Sequence, residues 1–374
     1  MKIAQIAPLV ESVPPRFYGG TERIVSYLTE ELVRMGHDVT LFASGDSITS
    51  ANLMSCATVA LRLDHNVKDP IPYYMLMMDR VRESAEEFDI LHFHIDQFHF
   101  PLFRPMAGRT VTTTHGRQDL PDLVPLYVGF NDMPLVSISN AQRRPIPKAN
   151  FVATIHHGIP SALHRPRFNP RGGYLAFLGR ISPEKRPDRA IKIAQAAGIP
   201  IKIAAKVDRA DEIYFREQIE PLLTGSGVEF VGEINEHEKT DFLGDALALL
   251  FPVDWPEPFG LSMIEAMACG TPVVAFRCGS VPEVVEDGLT GMIVESVEEA
   301  ITAVPKVIAL DRRLVRRRFE ERFSAARMAK DYVSVYRSLR RRARARVEPD
   351  EMLEPQSRHP VGMDNSSGSR PHID

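Results

Sequence analysis

The stretch DWPEPFGLSMIEAMACGTPVVAF, Asp254–Phe276, decides the fold. Between Leu261 and Cys269 apolar residues recur at helical spacing, and after Gly270-Thr271-Pro272 the run Val273–Phe276 has strand length and composition. A similar run, Ala248–Phe251, precedes the turn, so strand, helix and strand follow one another and predict a parallel sheet buried on both faces. A helix N-terminus preceded by glycine leaves its first N–H groups unpartnered and adds the positive end of the helix dipole. The backbone at Phe259, Gly260 and Leu261 therefore suits a phosphate. Glu265, one turn into the helix, is placed to accept hydrogen bonds from ribose hydroxyls, and Glu257, before the turn, from sugar hydroxyls beyond a diphosphate. Taken alone, the dipole explains two carboxylates near this helix end equally well.

The alternation extends in both directions. Tyr174–Leu178, Ile201–Ala205 and Val228–Val231 read as strands, with helices over Pro187–Ala197 and Asp211–Leu223. Near the start, KIAQIAPL reads as a strand, TERIVSYLTEELVRMG puts Ile24, Leu28, Leu32 and Met35 at helical spacing, and DVTLFAS supplies a second strand. Further strand-like runs are Ile90–His94, Thr110–Thr114, Leu135–Ser139 and Val152–Ile155. The fold class is α/β, with two doubly wound domains, residues 1–165 and 166–315, facing across a cleft. The unpatterned Pro160–Gly173 predicts a linker and hinge. From Val297 onward only helical patterns remain, and helices over 316–346 are expected to cross back to the first domain. Their anchors are Phe319, Phe323, Met328, Tyr332, Val335 and Tyr336. Residues 347–374, polar and proline-containing, are expected to be a disordered tail.

Composition narrows the function. With 374 residues, 44% hydrophobic, 25% charged and a formal net charge of −4, the chain is an ordinary globular protein and not a dedicated nucleic-acid binder. Cys56, Cys269 and Cys278 form no C-x-x-C pair, which argues against a disulfide framework or a zinc site and for a reducing compartment. No apolar run approaches the ~20 residues of a membrane span, and Met1–Val10 reads as a strand rather than a leader, so a cytoplasmic location is expected. The basic run Arg337, Arg340, Arg341, Arg342, Arg344 and Arg346 reads as a solvated helix end, with a weak peripheral contact to anionic membrane as the rival.

The chemistry gathers at strand ends. In GRISPEKRPDRAI, Arg180 follows the Tyr174–Leu178 strand directly and Lys185 comes five residues later. Both sit at the carboxyl end of the second sheet, where such folds bind ligands. Two cations and a helix N-terminus neutralise a diphosphate without a metal, and stabilise it as a leaving group. Lys206, after Ile201–Ala205, is a third donor-site cation or a solvent-facing lysine. His115 ends Thr110–Thr114, precedes a glycine and projects toward the cleft. His92, His94 and Asp96 crowd a neighbouring strand end, on the acceptor side. A metal on His92, His94 and His99 is disfavoured, because alternation and turn geometry would have to converge them.

These residues together resemble the retaining GT-B glycosyltransferases of family 4. The resemblance is carried by Gly179-Arg180 with Lys185, by Glu257 and Glu265 with seven residues between, and by the Gly270-Thr271-Pro272-Val273 that follows. It runs from Met1 to about Leu339 and includes Gly19-Gly20, His115-Gly116 and His157-Gly158-Ile159. It implies two Rossmann-like domains, residues 1–165 on the acceptor side and 166–315 on the nucleotide-sugar side, with Arg180 and Lys185 on the diphosphate, Glu265 on the ribose and Glu257 on the donor sugar. Gly19 and Gly20 would let backbone approach donor phosphate and acceptor. For His115 it implies a place beside the reacting sugar, with sugar positioning or stabilisation of the reacting carbon as roles; a structural histidine is the alternative.

The expected activity is metal-independent, cofactor-free transfer of a hexosyl group from a nucleotide diphosphate sugar to an unidentified acceptor hydroxyl. By resemblance the donor is a UDP-sugar, with glucose as default, and configuration is retained. Asp-x-Asp is absent, which disfavours the metal-dependent GT-A class, and G-x-G-x-x-G and the Walker lysine motif are absent too. A sugar-nucleotide epimerase or phosphorylase on the same plan, and a non-catalytic sugar-nucleotide-binding protein, remain as rivals.

Overall fold

The computed structural model describes residues 1–16 and 19–347, with side chains as far as residue 343. The first sheet consists of β1 (Lys2–Ile6), β2 (Asp38–Ser44), β3 (Asn52–Ala57), β4 (Ile90–Phe93), β5 (Thr110–Thr113), β6 (Leu135–Ser137) and β7 (Phe151–Thr154), in the order β3-β2-β1-β4-β5-β6-β7. The second consists of β8 (Leu175–Ile181), β9 (Ile201–Val207), β10 (Val228–Gly232), β11 (Ala248–Phe251), β12 (Val273–Phe276) and β13 (Gly291–Val294), in the order β10-β9-β8-β11-β12-β13. Strand direction is parallel throughout, as at β1–β4 and β8–β11, where each sheet reverses its winding. That reversal opens a crevice at the strands' carboxyl ends. Fully buried runs such as β4, β11 and β12 show why their sequences are apolar without alternation.

Several expectations change. β3 has no apolar signature because it is an edge strand with Asn52–Ser55 exposed, and β13, four residues long, was also missed. β8 and β9 run on past their apolar stretches, pairing Gly179, Arg180 and Ile181 with Ala205, Lys206 and Val207. Arg180 and Lys206 therefore lie within strands and opposite each other, not in loops after them. The expected Asp211–Leu223 helix is broken into short pieces around a π-turn at Phe215–Ile219. Pro221, which lacks an N–H, prevents a continuous ladder there.

Pro160–Gly173 is bound down along much of its length. Arg167 N–H donates to Cys269 O at 2.9 Å, its guanidinium pairs with Asp241 and Asp245, and Gly172 N–H donates to Asp245 O at 3.1 Å. Arg312 and Arg316, on the Arg312–Arg322 helix, are buried and fill their guanidinium donors with backbone carbonyls. Arg312 reaches Arg167 O, Ala246 O and Gly244 O, and Arg316 reaches Ser161 O and His164 O. The chain passes between the two sheets twice at one place: Ile159 bridges Ser324, with Ile159 N–H to Phe323 O at 3.0 Å and Ala325 N–H to Ile159 O at 2.9 Å.

The last helix, Ala325–Val347, crosses back to the first sheet. Tyr332 and Tyr336 are buried there, their hydroxyls 2.9 Å from Thr113 Oγ1 and 2.7 Å from His92 Nδ1. Phe319, Phe323 and Met328 are also buried, and Val335 is only partly so. Of the basic run, Arg340 pairs with Asp89 at 3.0 Å, while the side chains of Arg344 and Arg346 lie outside the described residues. So does the tail expected over 347–374, apart from Val347, which closes this helix. Among the described residues no helix is long and apolar enough to cross a membrane.

Truncating Arg312 to Met would strand several buried carbonyls. Urea melts of Arg312→Met are expected to show a loss on the order of 3 kcal/mol; an unchanged midpoint would show that these bonds do not hold the linker.

Candidate functional site

The carboxyl ends of the two sheets border one cavity of about 600 Å3. The residues expected to bind the donor or to act on it line this cavity: Gly19, Gly20, His115, Arg180, Lys185, Lys206, Glu257, Phe259, Gly260, Leu261 and Glu265. Local geometry explains two of the glycines, Gly260 and Gly19. Gly260 caps the Leu261–Ala268 helix at φ +83°, where a Cβ would come within 2.8 Å of the Phe251 ring. A Cβ on Gly19 would come within 2.7 Å of Pro15.

Each cation sits on a carboxylate. Lys185 Nζ pairs with Glu257, whose other neighbour is Trp255 Nε1 at 2.7 Å. Arg180 bonds Glu184 at 2.6 Å and lies 3.5 Å from Asp211. Lys206 meets Asp208 at 2.7 Å with its side chain 18% exposed, so it is a member of the cavity's charge network rather than a free surface lysine. Glu265, buried, is held by Lys239 at 2.8 Å. An anion entering the cavity would therefore exchange partners with protein carboxylates, and the helix N-terminus offers N–H groups beside them.

His115 is part of a layered histidine cluster. Its ring lies parallel to His157, with centroids 5.3 Å apart, and its Nε2 is 2.9 Å from His94 Nδ1. Burial lowers its pKa to about 3, so it is neutral at physiological pH. His92 and His94 do not line the cavity, contrary to expectation; they are buried behind His115. His99 stacks on Phe93 with centroids 3.7 Å apart, in the core. A different group, His164, Glu236 and Glu265, brings three ligand-type atoms within 4.8 Å of one another. Lys239 lies against both carboxylates and Arg23 pairs with Glu236, so cations of the protein already compensate this charge.

The sequence reading missed the residues that join the two walls. Arg23, on the first domain's Gly20–Arg34 helix, reaches Glu236 of the second, and the Arg117 guanidinium lies 5.7 Å from the Trp255 ring centre. Glu283 accepts from the N–H groups of Asn140 and Ala141, each at 2.7 Å, across the same divide. Lys239 follows an Asn235–Glu238 capping box that was legible as N-x-x-E, and Trp255 is the chain's one tryptophan. Neither signal says what the side chain meets.

Two family models tile the chain: Glycosyltransferase Family 4 over residues 18–146 and Glycosyl transferases group 1 over residues 163–323. The chain belongs to the group 1, family 4-like glycosyltransferases. Among curated relatives of this transferase, N-acetyl-alpha-D-glucosaminyl L-malate synthase of Bacillus anthracis is 25% identical over 85% of this chain and 93% of its own length. D-inositol 3-phosphate glycosyltransferase of Mycobacterium marinum is 31% identical, over 38% of this chain and 34% of its own length. The solved structures share the GT-B fold. The avilamycin A biosynthesis glycosyltransferase AviGT4 gives a TM-score of 0.67 at 24% identity, covering 91% of this chain and 98% of that one. HepE of Anabaena, solved with UDP and glucose, gives 0.67 at 18% identity, covering 90% and 100%.

Glu22, in the first turn of the Gly20–Arg34 helix, also lines the cavity. Burial, reinforced by the charge of Glu11, raises its pKa from an ordinary 4.5 to about 7. The folded state binds this proton more tightly, so stability present at acid pH is lost as pH rises through 7. Glu22→Gln is expected to exceed the parent in stability by on the order of 3 kcal/mol at about pH 8, and to match it at about pH 4. Equal urea midpoints at the higher pH would contradict a raised pKa.

Proposed function

We propose that this transferase moves a hexosyl group from a UDP-sugar, with UDP-glucose as the default donor, to an acceptor hydroxyl with retention and without a metal. One observation carries the reading: Arg180, Lys185, Lys206 and the N-terminus of the Leu261–Ala268 helix share a cavity wall with Glu257 and Glu265. The cations and N–H groups take the diphosphate, Glu265 the ribose and Glu257 the sugar. HepE's complex with UDP and glucose supports this donor class. In the reaction the bond from the sugar's anomeric carbon to the diphosphate oxygen breaks, and the acceptor oxygen bonds to that carbon on the same face. The acceptor's proton passes to the departing diphosphate oxygen. Leaving-group charge is met by groups already in place, which is where such sites gain most. Malate and inositol 3-phosphate, which two of the relatives are named for, are small anions, and Arg62 in the cavity wall, paired with Glu11, is a cation such an acceptor would meet.

Nucleotide sugars, UDP-glucose first, should be incubated with and without hydroxylated small anions. Nucleoside diphosphate released only with an acceptor supports transfer; a changed sugar without release supports an epimerase, and binding without turnover a binding protein. With the active donor, Arg180→Gln/Lys185→Gln is expected to lose about 1,000-fold or more in kcat/KM. Lys206→Met is expected to raise the donor KM several-fold, about what one charge-assisted contact contributes, and an unchanged KM would remove Lys206 from the donor site.

A further inference from the structure

Behind His115 runs a chain of buried polar groups that the transfer itself does not touch. His115 Nε2 lies 2.9 Å from His94 Nδ1, and His94 Nε2 lies 2.8 Å from Gln5 Oε1. The amide nitrogen of Gln5 donates to Tyr336 Oη at 3.2 Å and lies 3.4 Å from His92 Nδ1. Tyr336 Oη is 2.7 Å from His92 Nδ1, and His92 Nε2 is 2.7 Å from Thr113 Oγ1. Gln5, His92, Thr113 and Tyr336 are fully buried and His94 nearly so.

The protons in this chain are set by its one group that can only accept. An amide oxygen has no proton to give, so His94 must carry its proton on Nε2. Burial keeps His94 neutral, pushing its pKa well below the usual histidine range, so its Nδ1 is a bare lone pair. His115 must then donate through Nε2–H. Being neutral as well, it has no proton left for Nδ1, and that nitrogen is a buried atom without a hydrogen-bond partner among the described residues, in a ring that lines the cavity. In the observed orientation the Gln5 amide nitrogen donates to the Tyr336 hydroxyl, which in turn donates to His92 Nδ1; His92 Nε2–H then donates to Thr113. Turning the amide over would reverse each step and put a proton on His115 Nδ1.

We propose that Gln5, acting through His94 and held in place by Tyr336 of the crossing helix, is a positioning residue that locks His115 as the Nε2–H tautomer. His115 then meets the bound substrate as a hydrogen-bond acceptor at Nδ1, taking a hydroxyl hydrogen bond rather than giving one. The hydroxyl's identity as that of a sugar rests on the transferase reading; the tautomer does not.

Long-range 1H–15N spectra of the full-length protein with 15N-labelled histidine, assigned with His115→Gln, read the tautomer directly. A proton on Nε2 is expected, and a proton on Nδ1 overturns the proposal. Gln5→Leu is expected to mix the tautomers and lower kcat about tenfold while leaving the donor KM unchanged. Tyr336→Phe, which keeps Gln5 but frees its amide, is expected to move both readouts the same way and serves if Gln5→Leu does not fold. Mixed tautomers with unchanged kcat would overturn the positioning role. A locked Nε2–H tautomer in a protein that transfers no sugar would leave the relay standing and defeat the transferase reading instead.

Discussion

Charge compensation inside a partly enclosed cleft governs this protein. Lys185 on Glu257, Arg180 on Glu184, Lys206 on Asp208 and Lys239 on Glu265 keep the cavity's charges matched. Unmatched charges in such a place would cost several kcal/mol each or be lost by titration. Matched pairs persist, and an anionic ligand can exchange into them. Glu22 shows the rule from the other side: a buried carboxyl beside Glu11, it meets the cost by holding its proton to about pH 7.

The fold supplies the positions. Both sheets are doubly wound and present their carboxyl ends to the same space, so side chains far apart in sequence converge without reaching far. Two chain passages lie side by side at Ile159 and Ser324, which concentrates the covalent connection between domains at one edge of the cleft. Beside the contact of the His157 ring with Phe259, the walls meet through polar contacts: Arg23 with Glu236, Arg117 with Trp255, and Glu283 with Asn140 and Ala141. Polar contacts of that kind are exchangeable, which suits a cleft that must admit and release substrates.

The terminal helix has two consequences. Its arginine-rich predecessor, through Arg312 and Arg316, satisfies carbonyls of the Pro160–Gly173 segment, so a stretch that reads as a free linker is part of the second domain's packing. Its own tyrosines enter the first domain and end the hydrogen-bond chain that begins at His115. A helix that looks like a clasp thereby bears on the protonation of a cleft residue.

The sequence by itself determined the two-sheet plan and part of the cavity's lining. Apolar runs, helical spacing and glycine positions are local signals, and the charged residue types at strand ends mark where side chains gather. It misjudged what lacks a local signal. Edge strand β3 has no buried face to record, and the polar ends of β8 and β9 are held by pairing with each other, not by apolar content. Pro160–Gly173 has no periodicity because distant arginines, not its own side chains, hold it. Only the tertiary structure decided which carboxylate each cation meets, put His92 and His94 behind His115, and brought Gln5 and Tyr336 within 3.2 Å across 331 residues of sequence. Hydrogen bonds and ion pairs act over a few ångströms in space, and spacing along a chain does not encode that distance.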